Sequence, residues 1–239
     1  MTVRHGGEAV LSGLDLTVPG GCAVAVVGRS GAGKSTLASL AGRLIDPDEG
    51  EITLDGLALR RLAPHALRDA IVYAFERPAL FGATPFEAIS FGAFRPSREQ
   101  VLSAVADSRA ATFLTRLPGG LQTSLDATPM SGGEVQRLGL ARAFAHAVAA
   151  RLLILDDATS SLDTATEMLV SRVLTDQMSD RTRLIVAHRA TTAARADLVA
   201  WLDRGRLRAL APHRELWADP DYRAIFGAGL RVRTGPGPC

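Results

Sequence analysis

The chain has 239 residues, 47% of them apolar and 22% charged, enough to bury one sizeable core. Its formal net charge is +2 with the signs interspersed, and aromatic residues make up only 5%, which argues against a basic or base-stacking nucleic-acid surface. The two cysteines, Cys22 in an apolar run and Cys239 at the last position, exclude a disulfide framework and fit a reducing compartment.

In chain order, apolar strands alternate with helical segments, the pattern of an α/β domain on a mostly parallel sheet. Residues 22–28 predict a strand, and a glycine-rich turn leads from it into a helix expected over about 34–43. Residues 50–56, GEITLDG, read as one short alternating strand, and 71–74 as another. Between about 85 and 117 the pattern is helical, cut by Pro, Gly and Ser. A helix is expected over about 132–149, then a strand over 151–155, a helix over 164–178 and strands at 183–187 and 197–202. A last pair of strands flanks Asp203-Arg204-Gly205, and the Gly/Pro-rich tail, 231–239, reads as disordered. There is no internal repeat, and no stretch approaches the ~20 consecutive apolar residues of a membrane span, so the chain reads as soluble.

Chemistry concentrates at two strand ends. Gly28-Arg29-Ser30-Gly31-Ala32-Gly33-Lys34-Ser35 matches G-x-x-x-x-G-K-[ST] between a predicted strand and a predicted helix. In such a loop Gly28, Ser30, Gly31 and Gly33 present backbone N–H groups to phosphate at a helix N-terminus, where the dipole favours anions. Lys34 would neutralise the β- and γ-phosphates, Ser35 would ligate Mg²⁺, and Thr36 follows them into the helix. Of the 27 basic residues only Lys34 is a lysine, so its place in this loop is not an accident of a lysine-rich composition. The loop by itself implies nucleotide binding and leaves the reaction open. The run 151–156 has the form of a buried parallel strand that ends in an acid, Asp156, placed to hold Mg²⁺, or alternatively to cap a helix.

Ser131-Gly132-Gly133-Glu134, about 25 residues before Asp156, resembles the LSGGQ signature of ATP-binding cassette (ABC) proteins, here as Met-Ser-Gly-Gly-Glu. The resemblance runs over residues 2–227. Ser160-Ser161-Leu162-Asp163 looks like the D-loop, His188 in Ile185-Val186-Ala187-His188-Arg189 like the switch histidine, and Glu76-Arg77-Pro78 like the Q-loop. Residues 117–123 and 203–216 resemble exporter-type cassettes. The resemblance implies a single P-loop NTPase (RecA-like) domain over 1–230: a mostly parallel α/β core, an N-terminal antiparallel β subdomain and a helical signature subdomain inserted over about 77–148. It further implies ATP and Mg²⁺ as cofactors, and Asp157, His188 and Glu76 as catalytic residues. Ser35, Asp156 and Glu76 would form the metal side. His5 would lie on adenine, with Ser131, Gly132, Gly133 and Asp163 completing a partner's nucleotide site. The implied function is the ATP-binding part of an exporter at the cytoplasmic face of the cell membrane. Its implied partners are transmembrane domains and a second nucleotide-binding domain, and nucleic acid is not among them.

This sequence departs from the family pattern at several of these positions. Asp157 stands where most active members carry glutamate, and a carboxylate set back by about 1 Å can cost ~10²-fold in rate. The expectation is ATP binding with slow hydrolysis at this chain's own loop, in a dimer with a non-identical partner. The alternative is a nucleotide-gated regulatory cassette without turnover; a soluble non-transport ATPase has the least support. Glu76 replaces the usual glutamine, His5 replaces an adenine-stacking aromatic, and Asp126-Ala127-Thr128-Pro129 replaces a longer exporter segment. The chain starts 27 residues before Gly28, so its first strand reads as clipped, as in a domain excised from a longer polypeptide or given a misassigned start.

Overall fold

Five consecutive buried residues, Ala-Val-Ala-Val-Val, form strand β3 (Ala23–Val27) at the centre of the molecule, as expected of a strand covered on both faces. The computed structural model describes residues 1–227. A six-stranded sheet runs β10-β9-β3-β8-β7-β6, built from β6 (Ile71–Ala74), β7 (Leu152–Leu155), β8 (Thr182–Val186), β9 (Leu198–Asp203) and β10 (Arg206–Ala211). All neighbours pair in parallel except β10, which returns antiparallel along β9. Period-two alternation sends Val24 and Val26 to one face, with Leu184, Val186 and Ile154, and sends Leu153 and Leu155 to the other.

Two hairpins flank the first face. β1 (Val3–His5) pairs with β2 (Glu8–Leu11), and β4 (Thr53–Leu54) pairs with β5 (Leu57–Ala58). The expected single strand over 50–56 is therefore a hairpin, because Asp55 and Gly56 take positive φ (51° and 79°) and turn the chain. That is the Asp-Gly pair favoured in two-residue hairpin loops. Helix α1 (Lys34–Ala41) covers the same face, and α2 (Pro64–Ala70) leads into β6.

Between β6 and β7 the chain leaves the sheet for α3 (Pro85–Ser90), α4 (Arg98–Asp107), α5 (Ala111–Leu114) and α6 (Gly132–Ala147). Ile89, Val101, Phe113, Leu138 and Phe144 form a core that joins the outer face of β6 and β7. The helix expected over 164–178 divides into α7 (Thr164–Arg172) and a π turn (Val173–Gln177). There the buried Arg183 guanidinium, reaching over from β8, donates to the carbonyls of Leu174, Ser179 and Arg181. The short helices α8 (Ala190–Ala193), α9 (His213–Leu216) and α10 (Pro220–Gly227) close the fold around an aromatic cluster with Trp201 and Tyr222. The segment read as a disordered tail lies outside the described residues. No described helix is long and apolar enough to cross a membrane.

Candidate functional site

The sheet order makes the site. β3, β8 and β7 are neighbours, so the loops at their carboxyl ends, carrying Lys34, His188 and the pair Asp156–Asp157, open onto one edge. Ligands of open α/β sheets gather at such an edge. A cavity of about 870 Å³ lies at the other, amino-terminal end of the strands and contains none of these groups.

The phosphate loop is pinned by close backbone approach. A Cβ on Gly28 would stand 2.4 Å from the Leu202 carbonyl oxygen, and one on Gly33 2.5 Å from Leu11. Gly33, at φ 95°, is the N-cap of α1 and supplies no side-chain cap, so the first amides of the helix are left for another acceptor. Lys34 is buried, and its Nζ donates to the carbonyls of Gly28 (2.9 Å) and Arg29 (3.2 Å). Burial pushes its pKa down, while Asp157 and Asp156 push it back up, which places both carboxylates within electrostatic reach of the ammonium. Gly31, Ser30 and Ser35 are exposed in the same loop and Thr36 is half-buried.

Asp156 and Asp157 have separate surroundings. The Tyr73 hydroxyl on β6 donates to Asp156 Oδ2 at 2.8 Å, and Asp156 Oδ1 is buried with no hydrogen-bond partner among the described residues. A buried, unpaired carboxylate oxygen is costly unless something binds it. Mg²⁺ is held by one or two carboxylates with the rest of its shell from water and substrate phosphate. The residues present fit that cation: Asp156 Oδ1 and the Ser35 hydroxyl would hold it, and among the described residues there is no group of three or more His, Cys, Asp and Glu to form a closed cage. Burial and the Asp156 carboxylate together push the Tyr73 phenol well above its ordinary pKa, so it stays protonated as a donor.

Asp157 adopts φ 51°, a left-handed conformation that aspartate tolerates better than most residues. Its carboxylate meets His188 Nε2, at 2.8 Å from Oδ1 and 3.0 Å from Oδ2. The structure therefore joins two of the three expected catalytic residues. The side chain of the third, Glu76, is exposed and makes no hydrogen bond or ion pair among the described residues, while its backbone carbonyl accepts from Gln136. His5 is exposed at the end of β1.

The signature segment begins α6. Ser131 is the N-cap, and Glu134 closes a capping box: Ser131 Oγ accepts from Glu134 N, and Glu134 Oε2 accepts from the Ser131 amide and hydroxyl. Gly132 has open space around it, while a Cβ on Gly133 would approach the Ser161 carbonyl oxygen to 3.1 Å. Asp163 is committed locally, as the N-cap of α7, accepting from the Thr166 amide and hydroxyl.

Sequence reasoning missed Tyr73 and Gln136. Tyr73 carried no signal, since its partner lies 83 residues away. Gln136 stood three residues beyond the signature glycines, and its spacing with Gly139 and Arg142 on one helix face was the available clue.

Comparisons with known proteins bear on the family of the chain. The family profile described as ABC transporter matches residues 11–160. The chain is 58% identical over 227 residues to the "ABC transporter ATP-binding protein RamA" of Streptomyces coelicolor, covering 95% of this chain and 35% of that protein. It is 38% identical to the "ATP-dependent lipid A-core flippase" of Desulfotalea psychrophila, covering 95% of this chain and 40% of the flippase. A solved bacterial Atm1-family ABC exporter with ATP bound superposes with a TM-score of 0.87 at 34% identity, over 97% of this chain and 41% of that one. This chain thus spans about 35–41% of the length of these three proteins.

Proposed function

This chain belongs to the ABC transporter family, and we propose that it binds MgATP at a cassette dimer interface and couples that binding, with slow hydrolysis, to export across a membrane. One observation carries the proposal: Lys34, Asp156 with its unpaired Oδ1, and the Asp157–His188 pair converge at the carboxyl ends of three adjacent strands. In this reading the loop 28–36 cradles the phosphates through backbone N–H groups and the α1 dipole. Lys34 exchanges its two carbonyl acceptors for phosphate oxygens. Ser35 and Asp156 hold Mg²⁺, which supplies charge neutralisation on the phosphates.

Asp157 is the candidate general base, and His188 holds its carboxylate in place. Being one methylene shorter than glutamate, it stands back from the water it must polarise, which makes this the slow site. Glu76 serves the Q-loop position and His5 the adenine. The chain's partners are transmembrane domains at the cytoplasmic face and a second, non-identical cassette whose phosphate site takes the segment 131–133. The domain spans 1–230, with its helical subdomain over 77–148.

The test is steady-state ATP hydrolysis by the chain and by Asp157→Glu. The expected outcome is a rise of roughly 10-fold or more in turnover, within the ~10²-fold range of a misplaced group. A parent already turning over at a rate the substitution does not raise sinks the slow-site reading.

A second reading is a nucleotide-gated clamp that regulates a partner and never turns over. It is supported by His188 Nε2 lying within 3.0 Å of both oxygens of Asp157, an interaction that competes with water for that carboxylate. Tight MgATP binding with no measurable phosphate release from either protein favours the clamp.

A further inference from the structure

Gln136 lies in the second turn of α6 with 1% of its surface exposed, and every hydrogen-bonding atom of its side chain is used. Oε1 accepts from the Ser161 amide at 2.8 Å. Nε2 lies 3.0 Å from the Glu76 carbonyl, 3.3 Å from the Asp157 carbonyl and 3.2 Å from Ser160 Oγ. An amide N–H only donates and backbone carbonyls only accept, so these partners fix which way the side chain faces. One buried side chain thus ties the helix that carries Ser131-Gly132-Gly133 to two separate loops, one of them the loop that begins at Asp157.

The other contacts along this face of α6 reach only one of those loops. A Cβ on Gly139 would stand 2.4 Å from Pro78, and Arg142 donates to the Ala79 carbonyl at 2.8 Å. Together with Gln136 they hold residues 76–79 at three successive positions, i, i+3 and i+6. Of the three, Gln136 alone also bonds 157–161. Close packing backs this tie, since a Cβ on Gly133 at the helix start would stand 3.1 Å from the Ser161 carbonyl oxygen, a tight contact.

We propose that Gln136 is a positioning residue that couples the signature segment to the chain's own phosphate site. Because it holds the carbonyl of Asp157, a shift of that loop on MgATP binding carries the start of α6 with it. In the converse direction, a partner seated on 131–133 changes the placement of Asp157. The proposal rests on the nucleotide site described above and adds the route by which that site reaches a second one. Coupling between sites is reciprocal and typically worth 5–150-fold.

The experiment is amide hydrogen exchange of the chain with and without MgATP, for the parent, Gln136→Met and Arg142→Met. In the parent, MgATP slows exchange in the phosphate loop and, about fivefold or more, at 131–135 and 160–161. Gln136→Met keeps the first protection and loses the second, whereas Arg142→Met, on the same face but without the reach to 157–161, keeps both. Protection at 131–135 that persists in Gln136→Met overturns the proposal, and so does a parent protected at the phosphate loop alone. If MgATP protects nothing in the parent, the nucleotide site itself is wrong, which is a separable result. Should Gln136→Met fail to fold, Ser160→Ala removes one acceptor at an exposed position and is expected to show a smaller loss of the same coupling; no loss there overturns it equally.

Discussion

Two helices in this chain start on glycine-containing turns and treat their first amides in opposite ways. At α1 the N-cap is Gly33 in a left-handed conformation with no side chain to offer, and the buried Lys34 follows at once. At α6 the N-cap is Ser131, whose hydroxyl and amide are closed in a box with the carboxylate of Glu134. The first helix start is open and cationic; the second is satisfied internally and carries a negative charge. The bonds from Ser131 hold the Glu134 carboxyl below its ordinary range, so the charge persists under mild acid. An anion meets prepared donors at α1. At α6 it must first displace Glu134, in keeping with the proposed role of 131–133 in a partner's phosphate site.

The contrast can be broken most severely at Lys34. Lys34→Ala leaves the phosphate loop without its buried cation, and a loss of roughly 10²–10³-fold in ATP affinity is expected from removing such a charge partner. Equilibrium titration with a fluorescent ATP analogue measures it, and affinity kept within threefold would remove the loop from the nucleotide site. Tyr73→Phe acts on the metal side of the same site. By freeing Asp156 Oδ2 it is expected to weaken the Mg²⁺ contribution to nucleotide affinity by ~10-fold, the lower range for an outer-shell partner. Affinity in EDTA should stay as in the parent; an equal loss with and without Mg²⁺ would mean that Tyr73 serves only packing.

The smallest effect belongs to the closed helix start. Ser131→Ala removes the cap, at a cost of about 1 kcal/mol, and lowers the melting temperature by about 2–4 °C in a domain of this size. ATP affinity at the chain's own loop is expected to hold, and its loss would merge the two helix starts into one site. The box also has a definite pH sign. Glu134 has a lowered pKa when folded, so the unfolded chain binds that proton more tightly. The box stabilises fully above the ordinary carboxylate range and is lost as pH falls through the lowered folded value, a dependence that Glu134→Gln should remove from a melting series.

Much of the site was legible because its parts are local. A phosphate loop needs glycines where backbone must approach backbone, as Gly28 does at Leu202, and such needs leave a fixed pattern along the chain. The buried run 152–155 and the acid after it were equally plain, since a strand covered on both faces admits few polar residues. The single strand expected over 50–56 failed at Asp55–Gly56, where a turn signal sat inside an alternating run. The helix expected over 164–178 ends in a π turn whose Leu174 carbonyl accepts from Arg183 on β8.

The sequence by itself determined the chemical inventory: one lysine in a glycine-rich loop, an acid at a strand end, a shortened second acid and a Ser-Gly-Gly turn. Only the tertiary structure decided how those groups are held. Tyr73 reaches Asp156 across 83 residues, Gln136 reaches Glu76 across 60, and His188 reaches Asp157 across 31. Hydrogen bonds between distant segments have no period and no spacing to read along a chain; they exist because the sheet order sets β8, β7 and β6 side by side and lays α6 across the loops at their ends.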